Sequence, residues 1–196
     1  MLFATSITDP RVVAALADGG GVGILPTDTI YGIVASAANR RAVERLYETK
    51  KREGKPGTVI AASQEQLVAL GLDAGVVGKV AHLWPNPVSI VIPAGPELRY
   101  LDLGLGDIAV RVPADAHLRE LLEQTGPLLT SSANQPGEPP SFDVSQAQAY
   151  FDDQVDFYVD GGERRGQAST VVRYRDGQFE TLRPGPIAID QNGRIM

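Results

Sequence analysis

Several short runs in this sequence bring together hydroxyls, amides and cationic groups without a dominant cluster of carboxylates. Pro26-Thr27-Asp28-Thr29-Ile30-Tyr31-Gly32 follows an apolar stretch, and Lys50-Lys51-Arg52-Glu53-Gly54-Lys55-Pro56 ends a basic one. Thr130-Ser131-Ser132-Ala133-Asn134 follows Pro-Leu-Leu, and Ser169-Thr170-Val171-Val172 and Arg183-Pro184-Gly185 come later, with Arg111 inside DIAVRVP. Hydroxyls, backbone N–H groups and fork-shaped guanidiniums are the groups that recognise phosphate and carboxylate. Loops at strand ends are where rigid elements hold such groups in place. Each run also has a plain structural reading. Thr27 and Thr29 could form a turn beside Asp28, Tyr31 could pack, and Ser-Ala-Asn could be a tight turn. Arg111 is harder to explain away. A buried arginine needs an anion, either a ligand or a structural carboxylate.

Composition narrows the chemistry. The chain has 196 residues, 43% of them hydrophobic, which is enough for one substantial core and too apolar for a disordered protein. We read residues 1–196 as one domain, with no linker and no repeat. No run approaches the ~20 apolar residues of a membrane span, and the first residues show no secretory pattern, so the expected location is the cytosol. Cysteine is absent, and His82 and His117 are the two histidines, so neither a thiolate nor a histidine-built metal site is expected. The net charge of −6 argues against a protein that coats nucleic acid by bulk attraction. Yet Arg40, Arg41, Arg45, Lys50, Lys51, Arg52 and Lys55 place seven of 18 basic side chains in one segment. That segment reads either as a solvated helix face paired with Glu44 and Glu48, or as a local anion site.

Familiar signatures fail. Gly54-Lys55 and Gly78-Lys79 lack the rest of a phosphate-binding P-loop. Gly104-x-Gly106-x-x-Ala109 precedes a strand, where a dinucleotide site needs it to open a helix. Ser131 and Ser132 have no G-x-S-x-G context for a nucleophile.

The elements that must position the polar runs alternate irregularly. Helices are expected after Asp9-Pro10 with a stop at Gly19-Gly20-Gly21, from Asn39 to about Lys50, from a Ser63/Gln66 capping box to Gly71, from Asp115 to about Thr125, and from Asp143 to Tyr150. Strands are expected at 22–27, 58–62, 88–94 and 107–113, in PLLTS and DFYVD, and in a final hairpin around Asp176-Gly177. The pattern predicts an α/β (α+β) fold: a twisted mixed parallel and antiparallel sheet flanked by helices.

In this order, PTDTIYG, KKREGKP, WPNPVS, VRVP, SSAN, STVV and RPG closely resemble the YrdC-like threonylcarbamoyl-AMP synthases in their short, single-domain form, from about Gly20 to Gly185. The resemblance implies a YrdC-like fold with a concave, positively charged ligand cleft. It implies a nucleotidyltransferase that makes L-threonylcarbamoyl-AMP from L-threonine, bicarbonate or CO2 and ATP, releasing pyrophosphate, for threonylcarbamoyl modification of adenosine 37 in tRNA. Carried over by motif, Lys50 and Arg52 are the catalytic cations on the ATP phosphates, with Lys55 a third. Thr130, Ser132, Asn134 and Arg183 hold the nucleotide. Thr29, Tyr31, Arg111 and Ser169 bind threonine, with Arg111 facing its carboxylate. Mg²⁺ is expected with ATP, without a dedicated carboxylate cage on the protein. Transient contact with the tRNA threonylcarbamoyl transferase machinery, and weak tRNA binding, belong to the same expectation.

The sequence departs from the family in three places. Asn86 and Ser89 stand where Gly and Thr are usual, Glu53 replaces a proline, and Val59-Ile60-Ala61 occupy the place of a frequent threonine-contacting histidine. Two rival readings stay open at this point: an RNA-binding module of the same fold, and a diverged paralogue with other nucleotide or carbamoyl chemistry.

Overall fold

The computed structural model describes every residue except Gly19 and Glu53, so the predicted first-helix stop at Gly19 and the Glu53 departure lie outside the described residues. In chain order the elements are β1 (Leu2–Ala4), α1 (Pro10–Ala17), β2 (Val22–Pro26), β3 (Tyr31–Ser36), α2 (Arg40–Thr49), β4 (Thr58–Ile60), α3 (Gln64–Leu70) and α4 (Ala74–Val80). They continue with β5 (Val88–Pro93), α5 (Arg99–Asp102), β6 (Asp107–Arg111), α6 (Ala116–Thr125), β7 (Leu128–Ser132), α7 (Val144–Phe151), β8 (Phe157–Val159), β9 (Thr170–Arg175) and β10 (Gln178–Arg183).

Ten strands form one mixed sheet in the order β1-β8-β2-β3-β7-β4-β6-β5-β9-β10. The β1/β8, β2/β8, β4/β6 and β5/β9 pairs are parallel and the others antiparallel. Alternation along each strand sends side chains to two faces. Ile33, Val59 and Leu129 join the larger core with Val43 and Leu46 of α2, Leu67 of α3 and Phe151 of α7. Their neighbours Val34, Ile60 and Leu128 join a second core under Leu16 of α1 and Leu121 of α6. The sheet is therefore covered on both sides, as a sheet this apolar requires.

The predicted caps form where a short polar side chain precedes the helix. Asn39 accepts from Ala42 N–H at 3.2 Å, Asp115 from His117 and Leu118, and Asp143 from Gln146. The Ser63 cap does not form; Gln66 Oε1 instead accepts from Ala62 N–H at 2.9 Å. Four elements escaped the sequence reading, among them the four-residue α5, a single turn too short to show a helical period. The β3 strand is buried at all six positions and so shows no alternation. Two glycines in seven residues mask α4, and β1 has only three residues.

Candidate active site

On the face covered by α1 and α6, the side chains change character at one level of the sheet. Val34, Ile60 and Leu128 are apolar, whereas the next alternate positions along the same strands are Gly32, Thr58 and Thr130, with Ser132 beyond. Ser132 pairs with Gly32, and Thr58 with Thr130. This polar floor, the β2–β3 turn and the arginines 52, 111 and 183 line one cleft, together with Ser131 and Ser169. The turn is tied internally: Thr27 Oγ1 donates to Ile30 O at 2.7 Å and lies 3.1 Å from Thr29 Oγ1. Over it passes the segment leading to β9. Tyr31 Oη accepts from Gly161 N–H at 2.9 Å and donates to Gly162 O at 2.8 Å. Gly166 lies so close to Thr29 O that no Cβ would fit there.

At one end of the cleft Arg111 is 4% exposed. Its Nη2 donates to Asp28 Oδ1 at 2.9 Å in a pair buried on both sides, and Asp28 Oδ2 accepts from Ala114 N–H at 3.2 Å. The anion that a buried arginine demanded is therefore a structural carboxylate, that of Asp28. Arg111 Nη1 donates to Ser89 Oγ at 3.3 Å, and Ser89 Oγ lies 3.0 Å from Ser169 Oγ. Arg183 on the rim donates to Ser169 O at 2.8 Å and to Ser169 Oγ at 3.2 Å. Gly185 packs against the Ser169–Thr170 backbone with no room for a Cβ, which explains structurally why RPG and STVV come together.

At the other end the basic segment divides its cations among separate tasks. Arg40 stacks over Tyr100, 4.8 Å from its ring, and Arg45 pairs with Asp156. Among the described residues, neither joins an ion pair with Glu44 or Glu48. Arg52 reaches the cleft, donating to Ser131 Oγ and to the carbonyls of Lys55 and Pro56. Lys50 is 3% exposed, and its ammonium donates to Ser132 O at 2.6 Å, Asn134 Oδ1 at 2.7 Å and Asn134 O. Ser132 Oγ donates to the same Asn134 Oδ1 at 2.6 Å. Lys50 thus pins the Ser132–Asn134 turn to the end of α2 from behind.

Of the residues the sequence singled out, Thr29, Tyr31, Arg52, Arg111, Thr130, Ser132, Ser169 and Arg183 line the cleft together. Lys50 and Asn134 stand behind the wall as its support, and Lys55 is exposed, its carbonyl accepting from Arg52. His82 bonds Gly193 O and His117 is exposed beside Glu120; neither lines the cleft. Sequence reasoning missed Asp28, Ser89 and Thr58. Asp28 sat inside a quoted motif only as the neighbour of the turn candidates Thr27 and Thr29, and Ser89 was noted only as a departure.

Burial lowers the pKa of Arg52, Arg111 and Arg183, and the Arg183 charge adds to the effect on the other two. They remain cations at neutral pH because a guanidinium does not deprotonate in proteins. Three guanidiniums face one another across a cleft whose lining, among the described residues, includes no carboxylate, with Asp28 the partner of one of them. That surplus positive charge suits an anionic ligand.

The family model for Sua5, YciO and YrdC, described as "Telomere recombination", matches residues 15–185. The chain belongs to the Sua5/YciO/YrdC family. A Mycobacterium tuberculosis protein named for threonylcarbamoyl-AMP synthesis is 34% identical over 183 residues, covering 90% of this chain and 84% of its own length. A threonylcarbamoyl-AMP synthase of Coxiella burnetii is 35% identical over 147 residues, 72% of this chain and 79% of its own. The solved structure of Pyrococcus abyssi Sua5 complexed with L-threonine aligns with a TM-score of 0.81 at 29% identity, over 95% of this chain and 57% of the archaeal one. The mixed sheet flanked by helices is the architecture of this Sua5/YciO/YrdC family, as the sequence resemblance implied. Among the described residues no helix is long and apolar enough to cross a membrane.

Proposed function

We propose that this chain makes L-threonylcarbamoyl-AMP from L-threonine, bicarbonate and ATP, with release of pyrophosphate. The observation that carries the reading is one cleft in which two differently built cationic ends meet, in a chain of the Sua5/YciO/YrdC family. Threonine amine and bicarbonate give a carbamate and water; a carbamate oxygen then attacks the α-phosphorus of ATP while pyrophosphate leaves in line. Such a step asks for alignment and charge neutralisation more than for a protein nucleophile. The absence of cysteine from the sequence is compatible with it.

Thr29, Arg111 and Ser169 bind threonine, and Tyr31 shapes that pocket by holding the Gly161–Gly162 backbone. Arg52 meets the phosphates, Arg183 closes over them from the rim, and Thr130 and Ser132 hold the nucleotide. Lys50 and Asn134 act by fixing the turn that carries Ser132, and exposed Lys55 contributes long-range charge only. Mg²⁺ comes with ATP as part of the substrate: both oxygens of Asp28, the carboxylate beside the cleft, are already engaged. Residues 1–196 act as one domain in the cytosol, where the product feeds adenosine 37 modification through the tRNA threonylcarbamoyl transferase machinery. The RNA-binding alternative would draw on exposed cations, whereas Lys50 and Arg111 are buried.

The test is pyrophosphate release by purified protein with Mg²⁺-ATP, omitting threonine or bicarbonate in turn. Release that needs both is expected. Release indifferent to threonine would move the assignment to a paralogue with other nucleotide chemistry.

A further inference from the structure

Ser89 is fully buried in β5, between Val88 and Ile90, in the place where the sequence departs from the usual threonine. Its hydroxyl touches two residues of the cleft wall, Arg111 and Ser169. The direction of each hydrogen bond follows from what the partners can do. A guanidinium only donates, so Ser89 Oγ is the acceptor for Arg111 Nη1. The Ser89 proton then has one acceptor within reach among the described residues, Ser169 Oγ at 3.0 Å. The reverse arrangement would strand a buried O–H with nothing to receive it, which folded proteins avoid. Ser169 Oγ also receives Arg183 Nη2 at 3.2 Å. With both lone pairs occupied, its own proton is the one left over, and Ser169 lines the cleft.

We propose that Ser89 is a positioning residue which, between Arg111 and Ser169, sets the Ser169 hydroxyl as a hydrogen-bond donor to an anionic oxygen of the amino-acid substrate. The inference rests on the threonine reading above and deepens it. In the β2–β3 turn Thr27 gives its proton to Ile30 O, and its oxygen accepts from the Thr29 and Ile30 N–H groups at 3.3 Å, so the Thr29 hydroxyl, 3.1 Å away, keeps its own proton for the cleft.

Steady-state kinetics of wild type, Ser89→Ala, Ser89→Thr, Ser169→Ala and the Ser89→Ala/Ser169→Ala double variant test this. Ser89→Ala should raise KM for threonine roughly tenfold, the scale of one hydrogen bond to a charged group, with kcat and the ATP KM within about twofold. Ser89→Thr keeps the hydroxyl and should recover most of that loss. The double variant should lose less than the product of the two single losses, because Ser89 acts through Ser169. A threonine KM near wild type in Ser89→Ala, an equal rise in the ATP KM, no recovery in Ser89→Thr, or losses that multiply would each overturn the proposal. Wild-type turnover reads the reaction itself, and the ratios among variants read Ser89 alone, so the two failures are distinguishable.

Discussion

The two ends of the cleft hold their cations in different ways. Arg111 is sealed in the sheet beside a buried carboxylate, with serine hydroxyls continuing the chain of bonds toward the rim. Arg52, half-buried at the end of α2, is held by two backbone carbonyls and one hydroxyl, with no carboxylate among those partners. At the first end Arg111 has its charge paired and its place fixed by hydrogen bonds, which favours recognition of one small ligand by shape and hydrogen bonding. The second, among the described residues, keeps its charge unbalanced, which favours a highly charged ligand such as a triphosphate. Fixed geometry and surplus charge are separate resources, and this fold allots one to each end.

Several measurements would break or sharpen that contrast. The largest effect should come from Asp28→Asn, which leaves Arg111 buried without its anion. Removal of one partner from a buried pair costs about 3–5 kcal/mol, so urea unfolding should report a loss on that scale, together with poor use of threonine. A loss below ~1 kcal/mol, ordinary for an exposed pair, would mean that the Arg111 end is not the sealed one. Arg52→Ala should cost roughly 10–100-fold in kcat/KM for ATP, the range of charge-assisted hydrogen bonds, with stability little changed. Equal damage to threonine and ATP parameters would merge the two ends. Salt offers a milder test: the ATP KM should climb between low and physiological ionic strength more steeply than the threonine KM, because exposed charge is screened and buried charge is not.

The smallest effect concerns Lys50, whose ammonium is brought by burial, and secondarily by Arg52, to about 7. Between that value and the ordinary 10.5 the unfolded chain binds a proton that the native state gives up. Stability from this group should therefore rise with pH across the window, the burial penalty being fully present below it. The slope of unfolding free energy between about pH 7 and 9 should be shallower in Lys50→Met. Equal slopes would show that the Ser132 and Asn134 oxygens keep the ammonium charged.

Much of this was legible along the chain, because helix caps and polar runs are local. Asn39, Asp115 and Asp143 cap the helices they precede, and the runs at Thr29, Arg52, Ser132, Ser169 and Arg183 do share a cleft. What was not legible is pairing across the sheet. Asp28 and Arg111 lie 83 residues apart, and Ser89 and Ser169 lie 80 apart. Only the placement of β5 between β6 and β9 makes neighbours of Arg111, Ser89 and Ser169. A serine in an apolar strand and an aspartate in a turn carry no mark of that role. The basic segment read either as helix-surface pairs or as a local anion site; Arg52 does reach the cleft, while Lys50 turns inward and Arg45 crosses to Asp156.

The most direct test of the central claim is the mass of the nucleotide product made from Mg²⁺-ATP, L-threonine and carbon-13 bicarbonate. An adenylate carrying threonine and the labelled carbon, formed in step with pyrophosphate, is the predicted result. Pyrophosphate release with AMP or an unlabelled adenylate as the product would contradict the assignment of the cleft to carbamate transfer.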